Sequence, residues 1–557
     1  MDNLRLILFF ALAFVLLLIY QAWMADYGGA GKPAPVAERP SPTASPAPSR
    51  PVPDIPKPEA PAQAQSQPPA PSAGNQRQLE PITVDTDLMR LEISPRGGTI
   101  DSLWLKKYLV QPEHPDQKVR LMKPDPPNMF LAQSGLLSSE PGRLPTHEAI
   151  FSSPAASYSL GPDADSLQVD LVWTGPGGLE VKKQYRFKRA SYVIHLTQEV
   201  VNQSPSAVVA REYNQLQRTE LHDPNEARFV HTYTGGVYYG PQDKYQKVSF
   251  KDMEKQPLDK QITDGWIAMI QHYFMAAWIP PGRKPATFYT SVLDNSRYII
   301  GLYSNPVTIS SGSSHSFDDR LFTGPKLQNT LASIAPGLDL AVDYGWLTFL
   351  AQPIFWLLAK LHALLGNWGW AIIVLTILIK AAFYKLSETS YKSMANMRRL
   401  TPRLQALKDR YGDDKQRLNQ AMMELYKKEK INPLGGCLPI VVQIPVFIAL
   451  YWVLLDSVEL RQAPFALWIN NLSAPDPYFV LPLIMGVSMF IQQKLNPAPP
   501  DPIQAKVMMS LPFVFTVFFA FFPAGLVLYW VVNNIISIAQ QWNITRTVER
   551  AAEKARH

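Results

Sequence analysis

Residues Trp368–Leu386 read WGWAIIVLTILIKAAFYKL, and the way Lys380 is accommodated in that run decides what kind of protein this is. No other Lys or Arg lies inside an apolar stretch that reads as a membrane span. Counting about 1.5 Å per residue from the Trp368/Trp370 pair at one interface places Lys380 roughly 15 Å deep. A Lys at a span centre costs about 2.5–3.5 kcal/mol on insertion scales, and the spans hold no Asp or Glu at comparable depth to offset it. Two readings follow. Either the side chain snorkels toward Lys385 with its stem along lipid, or it faces a wet groove inside the protein. Thr376, four residues earlier on the same helical face, makes a polar stripe that lipid would not favour and points to the groove.

The chain has 557 residues, too many for one core, and its 51 prolines are unevenly spread. The net charge of +7 is modest and largely local, so it says little about nucleic acid. A single cysteine, Cys437, excludes an intrachain disulfide and any CxxC metal or redox site, and its apolar surroundings make it a packing residue. Leu4–Trp23 is longer than the apolar core of a cleaved signal peptide and lacks a small-x-small site directly after it, so residues 1–27 read as a retained anchor. Residues 28–78 are rich in Pro and Ala. They cannot bury a core and read as an extended tether, with a PxxP ligand as the alternative.

From 79 to 342 the pattern becomes short period-two segments between Gly, Pro, Asp and Asn. Met89, Leu91 and Ile93 alternate before Ser94-Pro95-Arg96-Gly97-Gly98; Leu167, Val169, Leu171 and Trp173 do so, as do Tyr192, Ile194 and Leu196. Phe288–Leu293 and Tyr298–Tyr303 are further strands. An all-β sandwich is predicted. His195, His222, His231, His272 and His315 show no metal-ligand spacing, and no carboxylate pair is placed for glycoside chemistry. The domain reads as a binding or scaffolding unit, without cofactor.

Residues 343–367 predict an amphipathic helix lying in the interface; a further transmembrane pass is the alternative and would invert everything downstream. Beyond the Lys380 span, residues 387–431 predict a helical hairpin. One helix carries Met394, Met397, Leu404, Leu407 and Tyr411, with Gly412 as its cap. The other begins at Asp413 or Asp414 and carries Leu418, Met422 and Leu425. Arg398, Arg399, Arg403, Lys408, Arg410, Lys415, Arg417, Lys427, Lys428 and Lys430 put this hairpin in the cytoplasm. They serve topology and solubility, a docking surface, or both. Asn432-Pro433 starts a span to about Leu455 in which Gln443 is the notable polar residue. Tyr478–Gln492, Val507–Phe522 and Leu526–Gln541 follow, the last two joined by Pro523-Ala524-Gly525, and a basic tail occupies 546–557. The count is six spans, both termini cytoplasmic.

The stretch from LSETSYKSMANMRRLTPRLQALKDRYG to INPLGGCLPIVVQIPVFIALYWVLLDSVEL, with EISPRGGTIDSLWL near the start of the β region, resembles the YidC/Oxa1/Alb3 family of membrane protein insertases in its Gram-negative form. The resemblance covers essentially all of Asp343–Arg546. It implies a periplasmic β-supersandwich and a five-helix core (368–545) around a hydrophilic groove open to cytoplasm and bilayer. The family's basic groove residue falls on Lys380, often Arg in relatives, with Thr376 and Gln443 as polar companions. Phe515, Phe521, Tyr529 and Trp530 are the apolar candidates for client contact, and the hairpin basics from Arg398 to Arg417 the candidates for docking. Lys385 stands where many relatives have Pro, and Phe521 where many have Trp. Implied partners are nascent membrane proteins, the Sec translocon (SecYEG, SecDF), the ribosome, the signal recognition particle system and the phospholipid bilayer of the inner membrane. The chain is expected not to be an enzyme. Against this stand a transporter or channel with a solute-binding β domain, disfavoured by the lack of an internal repeat, and a tethered sugar-modifying enzyme, which a carboxylate or His pair in a β-domain cleft would favour.

Overall fold

The computed structural model describes residues 80–220, 232–282, 284–293, 296–412, 414–429, 438–496 and 502–554. The expected anchor, the tether, His222, His231, Asp413, Cys437 and the Asn432-Pro433 helix start lie outside them.

The β region forms two sheets. The larger has eleven strands centred on Val208–Thr219, which pairs with Phe130–Ser138, Arg297–Ser304 and Val307–Ile309. The smaller has eight, with Ser313–Pro325 between Phe274–Ile279 and Val193–Asn202. Their facing residues form one apolar core, and side chains also tie them together: Trp278 donates to the Gln215 carbonyl at 3.2 Å, and Asn214 donates to Asp319 at 2.7 Å. The expected alternation is present. Met89, Leu91 and Ile93 are buried on one face of their strand, as are Val169 and Leu171 on theirs.

Two features were not legible. Glu212, Asn214, Gln215, Gln217 and Arg218 look like a polar surface segment, yet all are buried in the central strand Val208–Thr219 because the other sheet covers it. And one of them, Glu212, is hydrogen-bonded to Asp319 in the interior, too close for the spaced pair of glycoside chemistry; burial pushes both pKa values up, and the Asp319 charge adds to the rise on Glu212. Asn214 and the Ser304 hydroxyl, which accepts from the Glu212 amide, knit this pair into the sandwich.

The SPRGG turn is a structural hub. Gly97 adopts φ +72°, its amide donates to the Ala149 carbonyl at 2.7 Å, and an added Cβ would collide with the backbone of His147. Gly97→Ala is therefore expected to destabilise the β region by roughly 3 kcal/mol, combining left-handed strain with a clash that no rotamer can relieve. Faster proteolysis of the full-length protein, with Gly142→Ala as an open-space, positive-φ control, measures it.

The helices are α1 (Phe250–Lys255), α2 (Gln328–Ile334), α3 (Thr348–Leu365), α4 (Trp368–Ala382), α5 (Tyr384–Tyr411), α6 (Lys415–Lys428), α7 (Leu438–Asp456), α8 (Val480–Leu495), α9 (Pro502–Phe519) and α10 (Ala524–Lys554). Helix α10 packs against α4, α5, α7 and α8; α3 packs against α4 and α7, and α9 against α8. Gly486 lets α8 approach the Thr516 side chain of α9. Outward-facing residues on these helices are large and apolar: Trp356 on α3, Leu483 and Val487 on α8, Phe513, Val514 and Val517 on α9 are all more than half exposed. Such a continuous apolar exterior belongs in lipid.

Several boundaries differ from expectation. The run to Leu386 is not one helix: α4 ends at Ala382, and a 67° bend at Phe383 separates it from α5. The bend needs neither Pro nor Gly, so the sequence did not announce it. Gly412 ends α5 in a right-handed rather than a left-handed conformation, while Asp414 caps α6 as expected, accepting from the amides of Gln416 and Arg417. Helix α10 runs unbroken to Lys554, so the described part of the expected basic tail is its last turns. Gly345–Leu365 is the one described helix long and apolar enough to cross a membrane by itself, the bent α4–α5 pair being a second if taken as one span; Val442–Asp456, Val480–Leu495 and Ala505–Phe519 are apolar but shorter.

The β region rests on the far end of α7. Arg461 and Gln462 donate to the Leu109 carbonyl at 2.6 and 3.2 Å, His272 shares a proton with the Leu455 carbonyl at 3.0 Å, and Tyr344 pairs with Ser457 at 3.1 Å. Burial pulls the His272 pKa down to about 3, so it is neutral here and donates one ring N–H to that carbonyl.

Candidate functional site

Helix α4 starts at Asn367, whose side chain accepts from the Trp370 amide, and its apolar face of Ala371, Ile372 and Leu375 turns inward. That rotation carries Thr376 and Lys380 inward too. Lys380 is only 6% exposed, and it is the one buried Lys or Arg among the described residues of the helical bundle. Its Nζ donates to Ser537 Oγ of α10 at 2.7 Å, and Ser537 Oγ donates to the Asn533 carbonyl at 2.7 Å. One turn away, Gln443 of α7 donates to Asn533 Oδ1 at 2.5 Å. No carboxylate pairs with Lys380 among the described residues. The ammonium thus points at protein, not lipid, and the snorkelling reading does not hold.

Ile379, Lys380, Phe383, Leu386, Ser387, Val442 and Gln443 line a narrow crevice of about 10 Å³, room for no more than a single water. The bend at Phe383 places the start of α5 over one side of it. Lys385, expected to bring a second cation to the mouth, instead extends into solvent with Nζ 3.4 Å from Glu388.

The remaining residues singled out from the sequence divide. Thr376 is buried, but its hydroxyl donates to the Ile372 carbonyl of its own helix at 2.7 Å, so it lines the interior without reaching Lys380. Tyr529 and Trp530 both meet Phe447, with ring centroids 6.1 and 4.6 Å away, and Trp530 also packs on Phe519. They form an aromatic floor one turn from the Gln443–Asn533 contact. Phe515 joins it at the side through Phe519. Phe521 lies just beyond the end of α9 and is half exposed.

Sequence reasoning missed the polar face of α10. Asn533, Asn534, Ser537 and Gln541 share one side, and besides the contacts above Asn534 donates to Ser488 of α8 at 3.0 Å and Gln541 to Asn496 at 2.9 Å. The signal was present as polar residues at i, i+3 or i+4, and i+7 or i+8 in an otherwise apolar helix.

In the hairpin, α5 and α6 close on Leu400, Met422 and Tyr426, flanked by Leu404, Leu407, Leu418 and Leu425. Its other surfaces are basic. Arg398, Arg399, Arg403, Arg410 and Arg417 are exposed and Lys408 is half-buried, while Lys415 opens α6. Arg403 pairs with Glu429 at 2.6 Å, Arg417 with Asp414 at 3.3 Å, and Arg410 lies over Tyr411.

Residues 81–357 match the model of the YidC periplasmic domain, and residues 360–552 match that of the 60Kd inner membrane protein. Proteins called membrane protein insertase YidC from Methylococcus capsulatus and Thioalkalivibrio sulfidiphilus are each 52% identical to this chain, over 100% of it and 100% of their own length. A solved structure described as an active YidC insertase with the first transmembrane domain resolved is 18% identical, with a TM-score of 0.37 over 83% of this chain and 92% of its own. Two matched domain models and full-length relatives at this identity make the chain a bacterial inner-membrane protein with a periplasmic domain, not an enzyme: it belongs to the YidC family of membrane protein insertases.

Proposed function

We propose that the Lys380 cleft is where a client's polar segment is received during insertion. Moving such a segment through hydrocarbon costs several kcal/mol per charge. A polar cleft reaching into the membrane shortens that path, and the ammonium holds an acidic or carbonyl-rich segment transiently while the client's apolar helix partitions into lipid. Burial of the client's apolar surface drives the step. The aromatic residues Trp530, Tyr529 and Phe515 offer the client's apolar side a wall, with Phe521 at the rim. What supports this reading above all is a buried cation held only by a neutral hydroxyl, inside a bundle whose exterior is apolar.

Within the same reading the chain is laid out as anchor (1–27), tether (28–78), periplasmic β domain (79–342), interfacial helix (343–367) and five-helix core (368–545), with six spans and both termini cytoplasmic. The hairpin's basic surface docks the ribosome or the signal recognition particle system, and the core works alone or beside the Sec translocon.

A photoreactive residue at Gln443 tests this. Crosslinks to a ribosome-stalled nascent membrane protein are expected from position 443 and not from Asp170 in the β region; absence at 443 overturns the cleft as the receiving site.

A further inference from the structure

The smaller sheet carries a second cleft, unrelated to insertion chemistry. It is lined by Gln184, Arg186, His195, Leu196, Thr197, Ile279, Pro281, Asp318, Asp319 and Arg320 and encloses about 270 Å³, at the small end for a ligand site. Strand register organises it into two rows. Arg186, His195 and Arg320 are direct neighbours across three strands, and so are Gln184, Thr197 and Asp318. Strands lie about 4.8 Å apart, so Arg186 and Arg320 flank His195 at a backbone separation of about 10 Å.

Like charges side by side on a sheet face are destabilising, and this row has no acid to offset it. Arg186 makes no hydrogen bond or ion pair among the described residues. Arg320 spends one N–H on the Ile334 carbonyl at 3.0 Å, leaving the rest of its fork. Lys188, two residues from Arg186 on the same face, adds to the field. Of the two carboxylates that line the cleft, Asp318 accepts from the Thr197 hydroxyl at 2.6 Å, and Asp319, on the inner wall, accepts from Asn214 at 2.7 Å and has its pKa raised by burial, which disfavours its charged form. Burial, then Lys188, Arg320 and Arg186, hold the His195 pKa below its ordinary value, as expected of a site lacking its counter-charge.

We propose that this cleft binds a small ligand by an oxyanion, carboxylate or phosphate, seated over His195 between Arg186 and Arg320. Asp318 and Gln184 in the neighbouring row then take a hydroxyl or ammonium group of the same ligand, while Ile279 and Pro281 wall one side. Bidentate guanidinium contacts supply the specificity for an oxyanion. An anion raises the His195 pKa, so binding takes up a proton and tightens as pH falls; the groups facing the imidazole are Arg186, Lys188, Arg320, Asp318 and Asp319.

Calorimetric titration of the full-length protein in detergent with D-glucuronate, L-glutamate or inorganic phosphate, and D-glucose as the neutral control, tests this. Binding of at least one anion, tighter at pH 6 than at pH 8 and weakened roughly tenfold or more by Arg186→Ala, is expected, and which anion binds tells a sugar acid from an amino acid or a free phosphate. Arg186 is exposed and unbonded, so this variant folds and should retain insertion activity. No anion binding, binding equal to that of glucose, or unchanged affinity in Arg186→Ala overturns the proposal.

Discussion

Lys380→Glu is expected to lower insertion of clients with acidic translocated segments by about a hundredfold, while Lys380→Arg retains most of it. The charge reversal acts twice. It replaces the attraction offered to an anionic client with repulsion, and it buries a carboxylate where the partners are Ser537 and the Asn533–Gln443 pair. A mismatch of about 3 kcal/mol, the scale for an uncompensated charge in such surroundings, converts to that factor. Arg keeps the charge, although the single hydroxyl of Ser537 leaves most of its planar fork without a matched acceptor. Ser537→Ala removes one hydrogen bond and is expected to have a far smaller effect, on the scale of 1 kcal/mol. Insertion into proteoliposomes of one client with an acidic and one with a neutral leading segment reads the difference. Equal loss for both clients would show that the charge only holds the fold together.

The second large effect is expected in the β domain. Lys183 is completely buried between the sheets, and its Nζ donates to the Gly97 carbonyl at 2.6 Å, the Ser134 carbonyl at 2.7 Å and Ser134 Oγ at 2.8 Å, with the Phe151 ring 5.1 Å away. Three acceptors match the three protons of an ammonium. Burial pulls its pKa down to about 7, so desolvation opposes what these acceptors supply. Lys183→Met keeps the volume but strands two carbonyls and a hydroxyl in a dry interior, a loss of about 3–5 kcal/mol. Hydrogen exchange in the strand Leu179–Lys188 should accelerate by more than a hundredfold on that scale. Combining Lys183→Met with Ser134→Ala should cost less than the sum of the two, because they remove one shared contact. Unchanged exchange in Lys183→Met would mean the cation is incidental to the sandwich.

What the sequence disclosed, and what it withheld, follow one rule. Period-two apolar strands and the long apolar helices were legible because burial of large side chains leaves a pattern in one dimension. Lys380 was legible for the opposite reason, as a charge with no business in its run. Features that depend on partners far along the chain were not. The polar strand Val208–Thr219 is central only because the second sheet, which includes Asp319, covers it. Ser537 becomes the partner of Lys380 across 157 residues, and the bend at Phe383 follows no sequence breaker. Thr376 was placed on the correct face, yet its hydroxyl returns to its own backbone, a choice that spacing alone does not settle.

Helix α10 is the common bearing of the bundle. Through Asn533, Asn534, Ser537 and Gln541 it holds α7, α8, α4 and the segment after α8 by one polar contact each, all within about 12 Å along its axis. Swinging any single neighbour outward therefore severs one such link, whereas turning α10 itself severs all four together. Lateral parting of the outer helices, one leaf at a time around a fixed spindle, is the inexpensive motion, and the spindle is the part that stays still.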